Sequence, residues 1–442
     1  MKKYLFHSMA IAMLAMFLTD CASDEEIVME PLPNNREKTQ NGDPNKGDEE
    51  DPQNPVNIVR TINLTDAQKA VVSRNNDFAF NFYRQLSSEH AGKSFVISPL
   101  SATYALGMLN DGAKGLTSEE ITKLLGFGGG SADDINKLCK ELIENAPYVD
   151  QLATLKLANC IVTDADITVS EQYGKDLVDY YQASVFSKDF SLGSTINFIN
   201  DWSDNHTEGM IKKIIDKLSP AAQMVMMNAI YFKASWSGKF KKEDTTEEAF
   251  TSETGSCERV QMMHRLDGTE YASNDIYATI GLPYGAGEHF KMYVLLPNEG
   301  KAVSDVLSTL NENSWNMTLC QLQGELVNVM LPKFKTESDM SLNEVLSSLG
   351  ATTMFTPQAD FTGITAQIEQ FFVSLIKQKA AIEVSEEGTE ASAVTYTELD
   401  TEGEGGGDGV PVIQFRADHP FVYLIQEASS GAIFFIGTYH GD

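Results

Sequence analysis

Residues 386–397 read EEGTEASAVTYT, a run that is small, acidic and rich in Thr and Ala, with a single Gly at 388. Composition alone makes it a surface linker. Its position argues otherwise: an apolar segment precedes it and a nearly continuous apolar C-terminus follows, where a long structureless loop is out of place. Read as a strand, the run sorts into two faces, because side chains alternate. Thr389, Ala391, Ala393, Thr395 and Thr397 fall on one side; Glu390, Ser392, Val394, Tyr396 and Glu398 fall on the other. The first face is uniformly small or β-branched and the second holds the bulky and charged groups, the pattern of a strand with one core-facing side. No Pro occurs from 360 to 410, so nothing there removes a ladder donor. Gly388 supplies backbone freedom where the chain must fold back. The stretch reads either as a surface linker or as a strand with one core-facing side.

The rest of the chain is globular in class, with 42% hydrophobic and 22% charged residues over a length of 442. Its 63 acidic and 33 basic side chains give a formal net charge of -30, which repels phosphate backbones and disfavours nucleic acid, heparin-like polymers and anionic lipid as partners. Five cysteines occur, Cys21, Cys139, Cys160, Cys257 and Cys320, without CxxC or a Cys/His spacing suited to zinc. No metal or cofactor is expected. The pairing of the last four cysteines stays open at this level.

The N-terminus reads as an address. Residues 1–20 carry two lysines and an apolar stretch from Met9 to Leu18 that is too short to span a bilayer, which marks a cleaved signal peptide. Leu18-Thr19-Asp20-Cys21 resembles a bacterial lipoprotein cleavage box, with Asp20 where a small residue is usual, and implies a lipid on Cys21. Ser23-Asp24-Glu25-Glu26 resembles the acidic surface-export tag of Bacteroidetes lipoproteins. Residues 21–63 are expected to form a disordered acidic tether, since a Pro/Asn/Asp/Glu-rich chain without apolar periodicity cannot offset its ordering entropy. A coil of about 40 residues reaches roughly 30 to 40 Å. The expected location is the cell surface, on the outer membrane.

From Leu64 to Asp442 the pattern is that of one folded domain. LTDAQKAVVSRNNDFAFNFYRQLSSE predicts a helix, with Asn75 or Asn76 as an N-cap for its stronger second part, and Thr117 with Glu120 predicts a capping box opening a later helix. Strands are expected at LKLANCIVTD, MVMMNAIYFKA, YATIGLPYG, HFKMYVLLPN, ELVNVMLPKF, FVYLIQEA and AIFFIGTYH. Helices early and strands late favour an α+β architecture. His90, His206, His264, His289, His419 and His440 have no nucleophile setting around them, and GxSxG, HExxH and P-loop motifs are absent. GEGGGDG at 403–409 follows no strand with a helix behind it and reads as a flexible loop rather than a phosphate cradle.

Several segments in order then resemble the serpin family across residues 64–442: FVISPLS (95–101) with GAKG (112–115), INFINDWSDNHTEGMI (196–211), MVMMNAIYFKASW ending at Trp236, VQMMHR (260–265), MLPKF (330–334) and HPFVYLI (419–425). The resemblance implies three β-sheets, eight or nine helices, a metastable native state and an exposed reactive centre loop, here about 386–412. It implies a suicide substrate rather than an enzyme: a serine protease, with cysteine proteases as a second class, cleaves the loop, the loop enters the main sheet, and the acyl-enzyme is trapped. A covalent complex with that protease and an otherwise monomeric protein are expected.

Carried over by position, the hinge is Glu386, Glu387, Gly388, Thr389, Glu390, Ala391, Ser392 and Ala393. Lys333 pairs with Glu386 beneath Trp236 at the top of the sheet, the breach; Ser98, Ser101, Asn228 and Gln378 form the polar shutter, with Gln378 where many relatives carry His. Counting seventeen residues from Glu386 puts the nominal scissile bond at Glu402-Gly403, with Thr401 and Leu399 as alternatives. No Lys or Arg occurs from Gly388 to Phe415, so a trypsin-like protease has nothing to bind. Elastase-like, chymotrypsin- or subtilisin-like and glutamyl-specific enzymes fit better. Insertion adds more than ten ladder bonds at about 0.5 to 1.5 kcal/mol each, on the order of ten kcal/mol in all.

Overall fold

A computed structural model describes residues 27–29, 61–128, 132–206, 209, 212–219, 222–366, 371–389 and 411–442. The expected signal peptide, Cys21, most of the tether, GEGGGDG and the loop from Glu390 to Val410, with its hinge residues Ala391, Ser392 and Ala393 and candidate bonds at Leu399, Thr401, Glu402 and Gly403, lie outside these residues.

Nine α-helices occur among the described residues: α1 (Asp66–Glu89), α2 (Pro99–Gly112), α3 (Gly115–Leu124), α4 (Ala132–Asn145), α5 (Glu171–Tyr181), α6 (Gly193–His206), α7 (Val303–Thr309), α8 (Glu312–Gln321) and α9 (Asn343–Ser348). The strands are β1 (Ile27–Met29), β2 (Phe95–Ile97), β3 (Ala153–Asp164), β4 (Ala183–Lys188), β5 (Met224–Ser235), β6 (Thr246–Thr251), β7 (Cys257–Ser273), β8 (Tyr277–Tyr284) and β9 (Phe290–Pro297). They continue with β10 (Gln323–Pro332), β11 (Phe334–Ser341), β12 (Leu375–Ser385), β13 (Gly388–Thr389), β14 (Ile413–Arg416), β15 (Phe421–Glu427) and β16 (Ile433–Tyr439). The α+β expectation and all seven expected strands are met. Three sheets were expected, and hydrogen bonding gives two networks: one of seven strands, ordered β1-β4-β3-β5-β13-β12-β11, and one of nine. The second and third sheets are joined because the 17-residue β7 pairs with β6 and β10 along most of its length and with β8 at its end.

The helix caps differ from expectation. α1 begins at a capping box between Thr65 and Gln68 and runs unbroken through Asn75 and Asn76. Both amides are buried and make long-range bonds instead: Asn75 Nδ2 to Thr103 Oγ1 at 3.0 Å and Asn76 Nδ2 to the Gly431 carbonyl at 2.8 Å. Thr117 likewise lies inside α3, where its hydroxyl accepts from the Asp360 amide at 2.9 Å, while Glu120 accepts from the Thr353 amide at 2.8 Å. Polar residues in helices are recruited by tertiary partners as readily as by helix ends. The tether also differs. Ile27–Met29 pairs antiparallel with Val185 and Phe186 of β4 as an edge strand, and the chain is already buried at Ile62.

Alternation along the seven-stranded sheet divides the core in two. Ile161, Met224 and Met226 point into the main core with α2, whose Pro99–Gly112 turns are almost wholly buried. Cys160, Val162, Val225 and Met227 point the opposite way, under Ile199 and Trp202 of α6. The seven-stranded sheet is thus covered on both faces.

Candidate functional site: a gap in the seven-stranded sheet

β5 and β12 run parallel as neighbours, yet they pair only at Val225–Leu375, Met226–Ile376 and Met227–Lys377. Over Asn228 to Lys233 of β5 and Gln378 to Glu383 of β12 no ladder joins the two strands. Six residues of strand make a gap of about 20 Å. Its upper end is occupied. Gly388 and Thr389, as β13, pair antiparallel with Ser385 and Val384 of β12 on one side and with Ser235 and Ala234 of β5 on the other.

Gly388 is required where it stands. Its φ is +146°, and a Cβ there would lie 2.1 Å from the Ala234 carbonyl oxygen. Thr389 is fully buried and shares a hydrogen bond of 2.6 Å with the Tyr284 hydroxyl. Tyr284 stacks on Trp236 with ring centroids 4.3 Å apart, and the Trp236 indole N–H donates to the Ser385 carbonyl at 2.9 Å. Burial pushes the Tyr284 hydroxyl far above the usual phenol range, so it stays protonated and free to donate.

The two hinge glutamates are held by charge. Lys333 Nζ lies 3.0 Å from Glu386 Oε2, and Thr245 Oγ1 donates to Glu386 Oε1 at 3.0 Å. Burial raises the Glu386 pKa, but its own backbone N–H, Lys333 and Thr245 more than offset that and hold it below the usual carboxylate range. Glu387 takes Lys239 at 2.8 Å and Lys242 at 3.1 Å, and these donors hold its carboxyl low as well. The backbone joins in: Trp236 N–H donates to the Glu387 carbonyl at 3.0 Å and Phe240 N–H to the Glu386 carbonyl at 3.1 Å.

At the lower end of the gap, where β5 and β12 part, the chemistry is neutral. Gln378 Oε1 accepts from the Ser98 amide at 3.1 Å while its Nε2 donates to the Ser98 carbonyl at 2.8 Å, tying β12 to the start of α2. Ser101 donates to Asn228 Oδ1, and Asn228 Nδ2 donates to Asn159 Oδ1 of β3 at 2.5 Å. Asn159 continues to the Tyr181 carbonyl at 2.8 Å. All five polar side chains, Ser98, Ser101, Asn159, Asn228 and Gln378, are buried.

The structure therefore brings together Glu386, Glu387, Gly388, Thr389, Trp236 and Lys333 at one end of the gap and Ser98, Ser101, Asn228 and Gln378 at the other. Sequence reasoning missed Tyr284, Lys239, Lys242, Thr245 and Asn159. Only Asn159 left a signal, as a lone amide inside the apolar LKLANCIVTD.

Other reactive groups have structural roles. His264 contacts Glu248 at 2.6 Å, and His419 lies 3.0 Å from Asp418 and 2.9 Å from the Pro297 carbonyl. Cys139, Cys160, Cys257 and Cys320 are free thiols, and burial pushes Cys139 up to about 12.

A sequence model described as Serpin (serine protease inhibitor) matches residues 73–440. The chain belongs to the serpin family. Human Serpin I2 is 31% identical over 384 residues, covering 84% of this chain and 91% of that protein. An uncharacterised serpin-like protein of Thermococcus kodakarensis is 33% identical over 380 residues, 84% of this chain and 85% of its own. Among solved structures, the thermophilic serpin tengpin in its native state superposes with a TM-score of 0.78 at 30% identity, covering 86% of this chain and 95% of tengpin. Thyroxine-binding globulin in complex with thyroxine gives 0.75 at 28% identity, with 84% and 98% covered. Serpins are protease inhibitors rather than catalysts, they generally bind target proteases, and the family also includes carriers. The gap between β5 and β12 thus lies in a serpin's main sheet.

Proposed function

We propose that this serpin is a suicide-substrate inhibitor of serine endopeptidases, with cysteine endopeptidases as a second class, acting by insertion of the cleaved loop between β5 and β12. The observation that carries the reading is the register of β13. Thr389 already lies opposite Val384 and Ala234, and each step along the loop moves one step back along both neighbours. Continued in that register, Ala391 would meet Ile382 and Phe232, Ala393 would meet Ala380 and Ile230, and Thr395 would meet Gln378 and Asn228. Ala391 falls opposite two large residues and Ala393 opposite one small and one large, while the Thr395 hydroxyl falls on the neutral polar cluster. Such matching is what an inserted strand needs to bury its face without clash or unsatisfied polar groups.

The absence of Lys and Arg from Gly388 to Phe415 directs the proposal away from trypsin-like targets and towards elastase-like ones first, then chymotrypsin- or subtilisin-like and glutamyl-specific enzymes. The cut falls at Glu402-Gly403 in the nominal register, or after Thr401 or Leu399. The N-terminal signals support a lipid on Cys21 and an outer-membrane, cell-surface location; a radiolabelled fatty acid should mark the wild type, and Cys21→Ser should abolish that label. The second reading is a carrier, favoured by the likeness to thyroxine-binding globulin.

Incubation with a protease panel separates the two. An SDS-resistant complex, with release of a C-terminal fragment whose mass gives the bond, is expected of the inhibitor. Clean cleavage by every protease without a complex would falsify it. Thr389→Arg puts a charge on a fully buried position of the inserting face and should convert the inhibitor to a substrate, raising the cleaved, uncomplexed fraction at least tenfold.

A further inference from the structure

α2 is fastened to the sheet near its start and to the helices beside it near its end. At the start Ser101 donates to Asn228 of β5, and Asn228 Nδ2 donates to Asn159 Oδ1 of β3 at 2.5 Å. Asn159 Nδ2 in turn donates at 2.8 Å to the carbonyl of Tyr181, the last residue of α5, where a carbonyl lies beyond the reach of the helical ladder. The hydroxyl of the same residue carries the contacts onward. It donates to Asn136 Oδ1 of α4 at 2.6 Å, and Asn136 Nδ2 donates to Asp111 Oδ1 at 2.6 Å. Asp111 lies one residue before the end of α2. The hydrogen bonds therefore leave α2 at Ser101, pass through β5, β3, α5 and α4, and return to the same helix at Asp111, about 15 Å along its axis. α2 makes room for this circuit at one point: a Cβ on Gly107 would lie 2.5 Å from the Tyr181 hydroxyl. Asn136, Asn159, Tyr181 and Asn228 are buried, whereas Asp111 is half-buried and opens on a cavity of about 560 Å³ that Lys114, Tyr173 and Asp176 also line.

We propose that Asp111 and Asn136 are positioning residues for the gap between β5 and β12. Asp111 orients the Asn136 amide, and Asn136 gives the buried Tyr181 hydroxyl its acceptor. Tyr181 so placed presents its carbonyl to Asn159, which fixes the Asn228 amide and leaves Asn228 Oδ1 turned to Ser101. Every link joins buried polar groups, so the loss of one contact strains the next rather than being made good by water. The three pairs that close the gap from below, Val225–Leu375, Met226–Ile376 and Met227–Lys377, adjoin Asn228 in β5 and Gln378 in β12, and a loosened Asn228 frees them first. The consequence for inhibition rests on the inhibitory reading above. In the register of β13 those pairs must part before a cleaved loop can insert beyond Thr395. Asp111 is the member that solvent reaches, and the circuit can be cut there without opening a hole in the core.

Hydrogen exchange on the full chain tests it without a protease. Asp111→Leu and Asn136→Ala each cut the circuit far from the gap, and each should speed exchange at 225–227 and 375–377 about tenfold, the effect of leaving a buried polar group without its partner. The double variant should exchange no faster than the faster single one, because a circuit already cut has no second contact to lose. Asp111→Asn keeps an oxygen that can accept from Asn136 and should stay within twofold of wild type. The β8–β9 ladder of the other sheet, where Ile280 lies opposite Val294, should also stay within twofold in every variant. Exchange at 225–227 and 375–377 within twofold of wild type in Asp111→Leu would overturn the proposal. So would equal acceleration in both sheets, which is a general loss of stability, or an Asp111→Asn variant as fast as Asp111→Leu, which would assign the effect to the charge. A wild type that forms no SDS-resistant complex with any protease would remove the inhibitory reading while leaving the exchange result to stand, so the two failures are distinguishable.

Discussion

At the top of the gap the loop is held by two carboxylates, three lysines and an aromatic stack; at its lower end, the same two strands are held by amides and hydroxyls alone. The difference follows burial. Lys333 is 40% exposed and Lys242 68%, so charge there is partly solvated, whereas Asn228, Asn159, Ser101 and Gln378 are buried and a charge among them would be costly. The two regions grip different things. The ionic end holds the loop, through Glu386 and Glu387, and the neutral end holds the sheet, by tying β3 to β5 and both β5 and β12 to α2. An amide can donate and accept, so the neutral end can exchange hydrogen-bond partners without leaving a net charge behind.

The comparison breaks first at Asn228. Asn228→Leu leaves Ser101 and Asn159 without their buried partners, at about 1 to 3 kcal/mol each; the native state should lose several degrees of melting temperature and convert more readily to an inserted form. An unchanged calorimetric trace would show that the neutral end does not hold the sheet. Gly388→Val comes next. It meets both the +146° φ and the Ala234 carbonyl, and should expel β13 rather than unfold the domain, costing about 2 kcal/mol in ladder bonds. Hydrogen exchange at the Thr389 amide reads this directly, and retained protection there would refute the docking.

Lys333→Met is smaller. It leaves the Glu386 carboxylate with Thr245 and its own backbone N–H, and because Lys333 is 40% exposed the loss is expected near 1 kcal/mol rather than the value for a dry pair. Smallest is the response to pH. Both hinge carboxylates titrate below their unfolded value, so the stability they contribute is complete above that value, about 4.3, and is lost as pH falls through their folded values. Protection at Thr389 should therefore fade below about pH 4.3 while the amides around Asn228 stay protected to lower pH; equal loss at both places would erase the distinction.

The strands were legible because long apolar runs with turn residues between them leave few alternatives, and Thr389 turned inward as its place in the alternating run required. β12 was harder. Its buried side is Ile376, Gln378, Ala380, Ile382 and Val384, and the Gln and Ala blur a period-two pattern that Lys377 and Lys379 sharpen only in hindsight. Caps misled, since Asn75, Asn76 and Thr117 look the same in sequence whether they bond to a helix end or to a distant carbonyl. Trp236, Lys333, Asn228 and Gln378 were placed through family resemblance, because nothing along one strand says which polar group faces another strand. Tyr284 and Lys239 could not be found at all: one is an aromatic among many, and the other is one lysine of three in KFKK.

The two margins of the seven-stranded sheet are guarded in different ways. On one, β1 covers the hydrogen-bonding row that β4 would otherwise present to solvent. On the other, β11 has β12 as its ladder partner and no strand beyond it among the described residues, but it carries Lys335, Glu337 and Asp339 along its length. A foreign strand approaching there would have to strip water from alternating charges. A sheet with a gap in its interior is in this way closed at its borders to strands from neighbouring molecules.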